Sequence, residues 1–488
     1  MDDIKSQPES ERPALLVKYQ QRVTDAEKDS ADYFKDIKRD RKYTRGKVGD
    51  PGVADDGETT ERLVRANLIL ATLQGLLPHI YARNPETQVR PSDAVDQSDY
   101  ELYTKFGRTI EVVLKKEFKT SRLKDRVKSS VMGAMVSKIA WLKVSFQREL
   151  GEDLVIRNRI NDAQDNINGL AQLIESIEEG DAKGEMESQK EEMDALISAL
   201  NSKVEIEISK GLALDRLRPE DVLFDTAIDE MSEYRRCRWM AYRSWFTKSE
   251  LQEQFISLTD DDIGKFSSYG RDDNGDKQKD KNSPNSEPLY AVWEMWDRMT
   301  QSVSAFCEGG AGWLRDPYQP QVTGRQWYPV FPLYFTHVEG YLRTISDTEQ
   351  LRELQDEYNE TRTQQAEHRT MSVPHYLMGS DSDESTIKRV EHAELGEIVI
   401  VDTNGRSLSE VVAPASHPAM DPRQYDTSAI RSDFEWISGL PDAARGGVAK
   451  AKTLGEAEIM QSGLASRTTA RQDTVEDWLS DIAEYCAQ

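Results

Sequence analysis

Arg445, Lys450 and Lys452 flank Gly446 and Gly447 in the stretch "ISGLPDAARGGVAKAKTLGEAEI", residues 437–459, between two segments that read as helix. Cations beside a backbone free to take positive φ could serve a catalytic loop, a phosphate cradle or a mobile finger touching a polyanion. Elsewhere the reactive residue types are scattered. "GRDDNGDK" puts Gly270 and Gly275 at phosphate-loop spacing, but Asp276 stands where the lysine belongs and no Ser or Thr follows. The acidic runs "TDDDIG" (259–264) and "DSDES" (381–385) read as solvated loops rather than cation sites. His368 and His375 straddle a helix end and Pro374, so they share no face for a metal pair. No HExxH, G-x-S-x-G or EF-hand spacing occurs. We therefore expect a scaffold without catalytic residues, metal or cofactor.

The composition sets the frame for that loop. At 488 residues the chain needs two or more structural regions. A net charge of −25 argues against a protein that coats nucleic acid, but not against one that must let nucleic acid pass without sticking. Cys237, Cys307 and Cys486 lie far apart with no CxxC, which points to a reducing compartment and away from a disulfide framework or zinc site. The acidic N-terminus lacks the apolar core of a signal peptide. The longest apolar run, Leu68 to Tyr81, holds Gln74 and Pro78 and is too short to span a bilayer, so no membrane is expected.

Periodicity supplies the elements that must position the loop. Residues 8–45 read as one polar helix, 45–58 as a loop, and an apolar helix runs from a Thr60 cap to Pro85. Helices follow at about 95–119 and 121–138. The period then changes to two in "IAWLKVSFQREL" (139–150) and "KVEIEISKG" (203–211), with 160–200 inserted between these paired strands as an antiparallel helical hairpin. The stretch 217–225 leads into further strands expected at 235–246, 289–300 and 302–309, with Trp239, Trp293 and Trp296 packing a sheet. Residues 257–288, poor in apolar side chains, read as a mobile loop. Helices at 346–370 and 426–438 enclose an irregular segment, 371–425, that carries one strand, "EIVIVD". Apolar stripes of Leu351, Leu354 and Tyr358, and of Ile430, Phe434 and Ile437, give each helix one apolar face for a neighbour. Pro441 is expected to end the second helix, and Thr453 with Glu456 to form the capping box of the last one. That last helix reaches Gln488 without a capping Gly, which suggests that the parent protein continues.

The order of these segments resembles the portal proteins of tailed bacteriophages, most of all those of short-tailed phages. The likeness rests on "RANLILATLQGLLPHIYARNPETQVRP" with Asn67, on "VMGAMVSKIAWLKV", and on "LRPEDVLFDTAIDEMSEYRRCRWMAYRSWFTKSELQEQF". It extends through "LRELQDEYNETRTQQAEHRTMSVPHYLM" and "ISGLPDAARGGVAKAKTLGEAEIMQSGLASRTTARQDTVEDWLSDI". The resemblance implies a mainly helical α+β fold: a wing over 1–345 containing mixed strands and the 160–200 hairpin, stem helices at 346–370 and 426–438, and a small α/β clip at 371–425. A tunnel loop at 439–453 and a long helix at 454–488, leading toward a crown, complete it. It also implies a ring of about twelve copies at one capsid vertex of the virion, assembled in the host cytoplasm. Double-stranded DNA would pass through the channel during packaging and ejection, without sequence preference. Terminase large subunit, head-completion, adaptor and tail proteins would dock on the ring, and capsid and scaffolding proteins would surround it. Arg445, Gly446, Gly447, Lys450 and Lys452 would then face DNA, and Lys388 and Arg389 would be clip contacts to partners or DNA. Two other readings stay open: a cytoplasmic oligomeric scaffold without nucleic acid, and a metal-dependent phosphoesterase built on the Asp clusters.

Overall fold

Helix and sheet are mixed along the chain. The computed structural model describes residues 12–46, 64–82, 86–90, 100–152, 159–169, 205–255, 258–271, 277–279, 287–322, 324–371, 376–378, 412–414, 421–440 and 454–487, with isolated residues between some of these stretches. They fall into two compact units. One comprises Met1–Asp36, Leu77–Ile345 and Thr469–Gln488, the other Ile37–Leu76 and Ser346–Thr468.

The first unit is organised by β4 (Trp239–Phe246), whose two-residue alternation feeds two cores. Trp239 and Ala241 join Trp293, Met295 and Phe306 beneath helix α1 (Arg12–Asp29), which presents Leu16, Tyr19, Val23 and Ala26 at helical spacing. Met240 and Tyr242 face the other way, toward Trp141, Tyr328 and Val330. The sheet is antiparallel throughout: β3 (Val222–Phe224) pairs β4, and β4 pairs β7 (Leu289–Asp297). Strand β7 also pairs β5 (Ser268–Arg271) and β8 (Ser302–Cys307), and these continue into β6 (Lys277–Lys279) and β9 (Trp313–Tyr318). A separate three-stranded sheet places β1 (Ala140–Glu152) between β10 (Val330–Leu333) and β2 (Glu205–Leu217). Strands β1 and β2 stay paired from Trp141 opposite Leu217 out to Glu152 opposite Glu205. The expected inserted hairpin leaves from that tip. Its described part is helical over 159–169 and at scattered positions from 190 to 198, and the rest lies outside the described residues.

Several expectations are corrected. The first helix divides at Ser30 into α1 and α2 (Ala31–Thr44), where the buried Ser30 hydroxyl accepts a hydrogen bond from Arg343 at 2.7 Å. The apolar helix α3 (Leu68–Ile80) is capped by Asn67, whose Oδ1 accepts from the Leu70 N–H at 2.9 Å. Residues 64–67 before it are not helical, and Thr60 lies outside the described residues. Helices α4 (Tyr100–Thr120) and α5 (Leu123–Ser137) occupy the expected region ahead of β1. The 257–288 stretch is not one loop. After the short helix α6 (Lys248–Gln254) it holds a helical turn, α7 (Asp260–Ile263), and strands β5 and β6, because Leu258, Ile263 and Phe266 pack with Leu251, Phe255 and Tyr290. Strand β9 has no counterpart among the expected strands, since Asp316 and Pro317 interrupt its pattern. The strand expected at "EIVIVD" falls almost wholly outside the described residues. No described helix is long and apolar enough to cross a membrane.

Candidate functional site

The second unit contains the elements that precede and follow residues 441–453. Helices α8 (Asp347–Met371) and α9 (Ser428–Ser438) pack antiparallel: His368 Nδ1 lies 2.9 Å from Tyr425 Oη just before α9, and Arg431 donates to Tyr358 Oη at 3.2 Å farther along. Leu351 and Tyr358 are buried on α8, and Ile430 and Phe434 on α9. The expected third member of the α9 stripe, Ile437, is instead 42% exposed, and neighbouring Trp436 is 75% exposed. Between α8 and α9, β11 (Tyr376–Met378) pairs antiparallel with β12 (Val412–Pro414).

The end of α9 is built by Gly439 rather than Pro441. Gly439 takes φ +69° and donates its N–H to the Glu435 carbonyl at 2.8 Å, closing the helix two residues before the proline. A Cβ there would lie 2.7 Å from Arg467 Cδ. That close approach is used: Arg467 Nη1 donates to the Trp436 carbonyl at 2.7 Å and reaches the Ile437 carbonyl at 3.3 Å. Arg467 belongs to helix α10 (Leu454–Ala487), so the cation satisfies the carbonyl end of α9 and ties one helix to the other. Leu440, fully buried, follows at once. The chain just before residue 441 is thereby held by a cap, a buried leucine and an arginine clamp.

A second set of contacts has no apolar signature. Gln355, Asn359 and Thr363, one turn apart on α8, are all buried. They serve the extended residues before α3: Gln355 accepts from Leu68 N–H at 2.9 Å and donates to the Ala66 carbonyl at 2.5 Å. Asn359 accepts from Ala66 N–H and Thr363 from Val64 N–H, each at 3.1 Å. Asn67 also donates to the Thr44 carbonyl at 2.8 Å. Beside this seam the fully buried Asp40 carboxylate meets Arg352 at 3.0 Å and Ser346 at 2.7 Å. Polar residues at four-residue spacing read as a solvent face; here they replace a strand partner for an extended chain.

Arg445, Gly446, Gly447, Lys450 and Lys452 lie outside the described residues, as do Thr453 and Arg389. Lys388 is exposed, and its ammonium sits 2.9 Å from Glu384 one turn earlier. The acidic run at 259–264 is engaged locally: Asp262 forms a capping box with Thr259, and Asp260 pairs with Lys248 at 3.0 Å. Among the described residues no group of His, Cys, Asp and Glu could hold a metal ion. Trp239, Trp293 and Trp296 are buried in the cores of the first unit, as sheet packing requires.

A polar cluster in the first unit is not legible from spacing. Arg243 lies 4.7 and 4.9 Å from the ring centroids of Trp245 and Trp293 and pairs with Asp221 at 3.0 Å and Glu27 at 3.1 Å. Burial pushes the Glu27 carboxyl up against the opposing pull of Arg243. Lys277 Nζ sits 3.9 Å from the Trp245 centroid. Burial pushes its amine down to about 8, with Arg218, Arg243 and Arg271 acting in the same direction and Asp221 against it. With two carboxylates on Arg243, the cluster clamps α1 and the turn before β3 to the sheet. No protein-family model matches the chain, and no curated protein matches it.

Proposed function

We propose that the chain is a portal protein, a subunit of a ring of about twelve copies through which double-stranded DNA is packaged into and ejected from a viral capsid. The observation that carries this reading is the antiparallel α8–α9 pair with exits at opposite ends. Residues 372–424 connect the pair at one end, and the Gly439 cap releases the chain toward 441–453 at the other. The 11 residues of α9 separate the two exits by about 16 Å. Such a strut holds a docking segment and a channel-facing loop at opposite ends of one rigid piece. Residues 371–425 are then the clip, where terminase and later the head-completion and tail proteins dock.

In this reading Arg445, Lys450 and Lys452 face DNA from a loop that Gly446 and Gly447 let swing. Phosphate contacts from a few cations grip DNA without reading its bases. The acidic remainder of the chain repels a passing polyanion and lowers friction. Lys388 would contact a partner by exchanging Glu384 for an incoming anion, and Arg389 would stand beside it. The test is a negative-stain image and a native mass spectrum of the purified chain. A closed ring with a central channel, of eleven to thirteen copies, is expected. Monomers and dimers alone at micromolar concentration would overturn the proposal.

A further inference from the structure

Helix α4 carries an apolar seam that its own unit does not use. Its inner side buries Gly107, Leu114 and Phe118, and Glu117 accepts from the Leu212 N–H of β2 at 3.1 Å. A second stripe faces solvent: Leu102 is 68% exposed, Phe106 60% and Val113 51%. With the exposed Thr109 these residues recur in steps of four, three and four, the spacing of a seam that packs against another helix. Val112, 69% exposed, lies on its flank. An aromatic and several aliphatic side chains left in water along one helix mark an interaction surface, since isolated surface apolar residues do not align this way.

Charge indicates what covers it. Lys105, Arg108, Lys115, Lys116 and Lys119 outnumber Glu101, Glu111 and Glu117 on this helix, in a chain with 63 basic and 88 acidic residues. Two α4 helices pairing with each other would bring like charges together. A different, acidic surface of another copy would not. We propose that the Leu102–Phe106–Val113 seam docks on an acidic helical face of a second copy of this chain. A contact between unlike surfaces propagates from copy to copy and closes only as a ring, whereas a like-with-like contact stops at two. The inference rests on the reading of the chain as a ring subunit and supplies one side of its contact.

The experiment compares the full chain with its Leu102→Glu, Phe106→Glu double variant by analytical ultracentrifugation. Both residues are exposed in the single chain, so the circular dichroism spectrum should not move, while self-association weakens at least tenfold. Lys115→Glu with Lys119→Glu should weaken it too, and high salt should shrink that difference. A second measurement places a thiol at the seam. The Phe106→Cys variant should resist maleimide when assembled and react when dissociated, over a low background because burial pushes Cys237, Cys307 and Cys486 up to about 12. Rings that persist in the double variant, or an introduced thiol that labels freely inside them, would overturn the seam and leave the ring reading standing. A wild-type dimer that the double variant dissociates would keep the seam and overturn the ring. A chain that stays monomeric would overturn both.

Discussion

Lys277 shows how a single side chain can tie stability to pH. Burial against Trp245, with Arg218, Arg243 and Arg271 nearby, pushes its amine down to about 8. An unfolded lysine titrates near 10.4, so between about pH 8 and 10.4 the unfolded chain holds a proton that the folded one has released. Stability contributed by this group therefore rises with pH across that window and is flat on either side. Lys277→Met should remove that rise. It should also stabilise the protein by on the order of 1–2 kcal/mol at pH 7, after allowing for solvent screening. Urea denaturation of both proteins from pH 7 to 10.5 checks it, since the remaining titrations cancel in the difference. Nothing in "GRDDNGDK" announces this environment, because it arises where β6 meets residues from β4 and from the turn before β3. Gly439 is the opposite case. A glycine after the last apolar residue of a helix is a readable stop signal, although Pro441 two residues on is the more conspicuous one. What could not be read is Arg467, which fills the space a Cβ would need.

Among the elements, apolar periodicity locates α8 and α9 and the strands around Trp239 and Trp293, because those residues face cores from regular elements. It fails where polar side chains are buried or apolar ones exposed. Gln355, Asn359 and Thr363 lie on a face that composition assigns to water, and they hold residues 64–69 against α8. Gln355→Leu keeps the volume but removes the acceptor of the Leu68 and Ile69 N–H groups and the donor to the Ala66 carbonyl, leaving Leu68 and Ala66 only their 3.2 Å bond to each other. We expect a loss of about 1–3 kcal/mol, chiefly from the Ile69 N–H of a fully buried residue left without that acceptor. Gln364→Leu, on the exposed face of the same helix, should stay within about 0.5 kcal/mol of wild type. Guanidinium midpoints for the two variants decide it, and equal effects would mean that the polar seam does not hold the segment. The same limit applies to α4, whose exposed stripe reads as core until the structure places water against it.

For the whole molecule, the decisive quantity is the distribution of charge. In the proposed ring, a net charge of −25 per chain would make an acidic wall, and a grip on DNA would then have to come from local cations. The sequence between Leu440 and Leu454 carries Arg445, Lys450 and Lys452 within eight residues and has no acidic residue after Asp442. On the described side, Gly439, Arg467 and the buried Leu440 hold one anchor fixed, and α10 begins at Leu454 on the other. Lys450→Ala with Lys452→Ala removes two of the three cations from every copy while leaving both anchors intact. Ring assembly should be unchanged, and particles built with the variant should package or retain several-fold less DNA. The deficit should depend on salt, because each phosphate that goes unneutralised lowers the dependence of log affinity on log salt by about 0.9. The scoring is the amount of packaged DNA that resists nuclease at low and at high salt, beside intact rings of the same variant. Normal packaging and retention at both salts would remove these lysines from the DNA contacts and leave the grip on DNA to other residues.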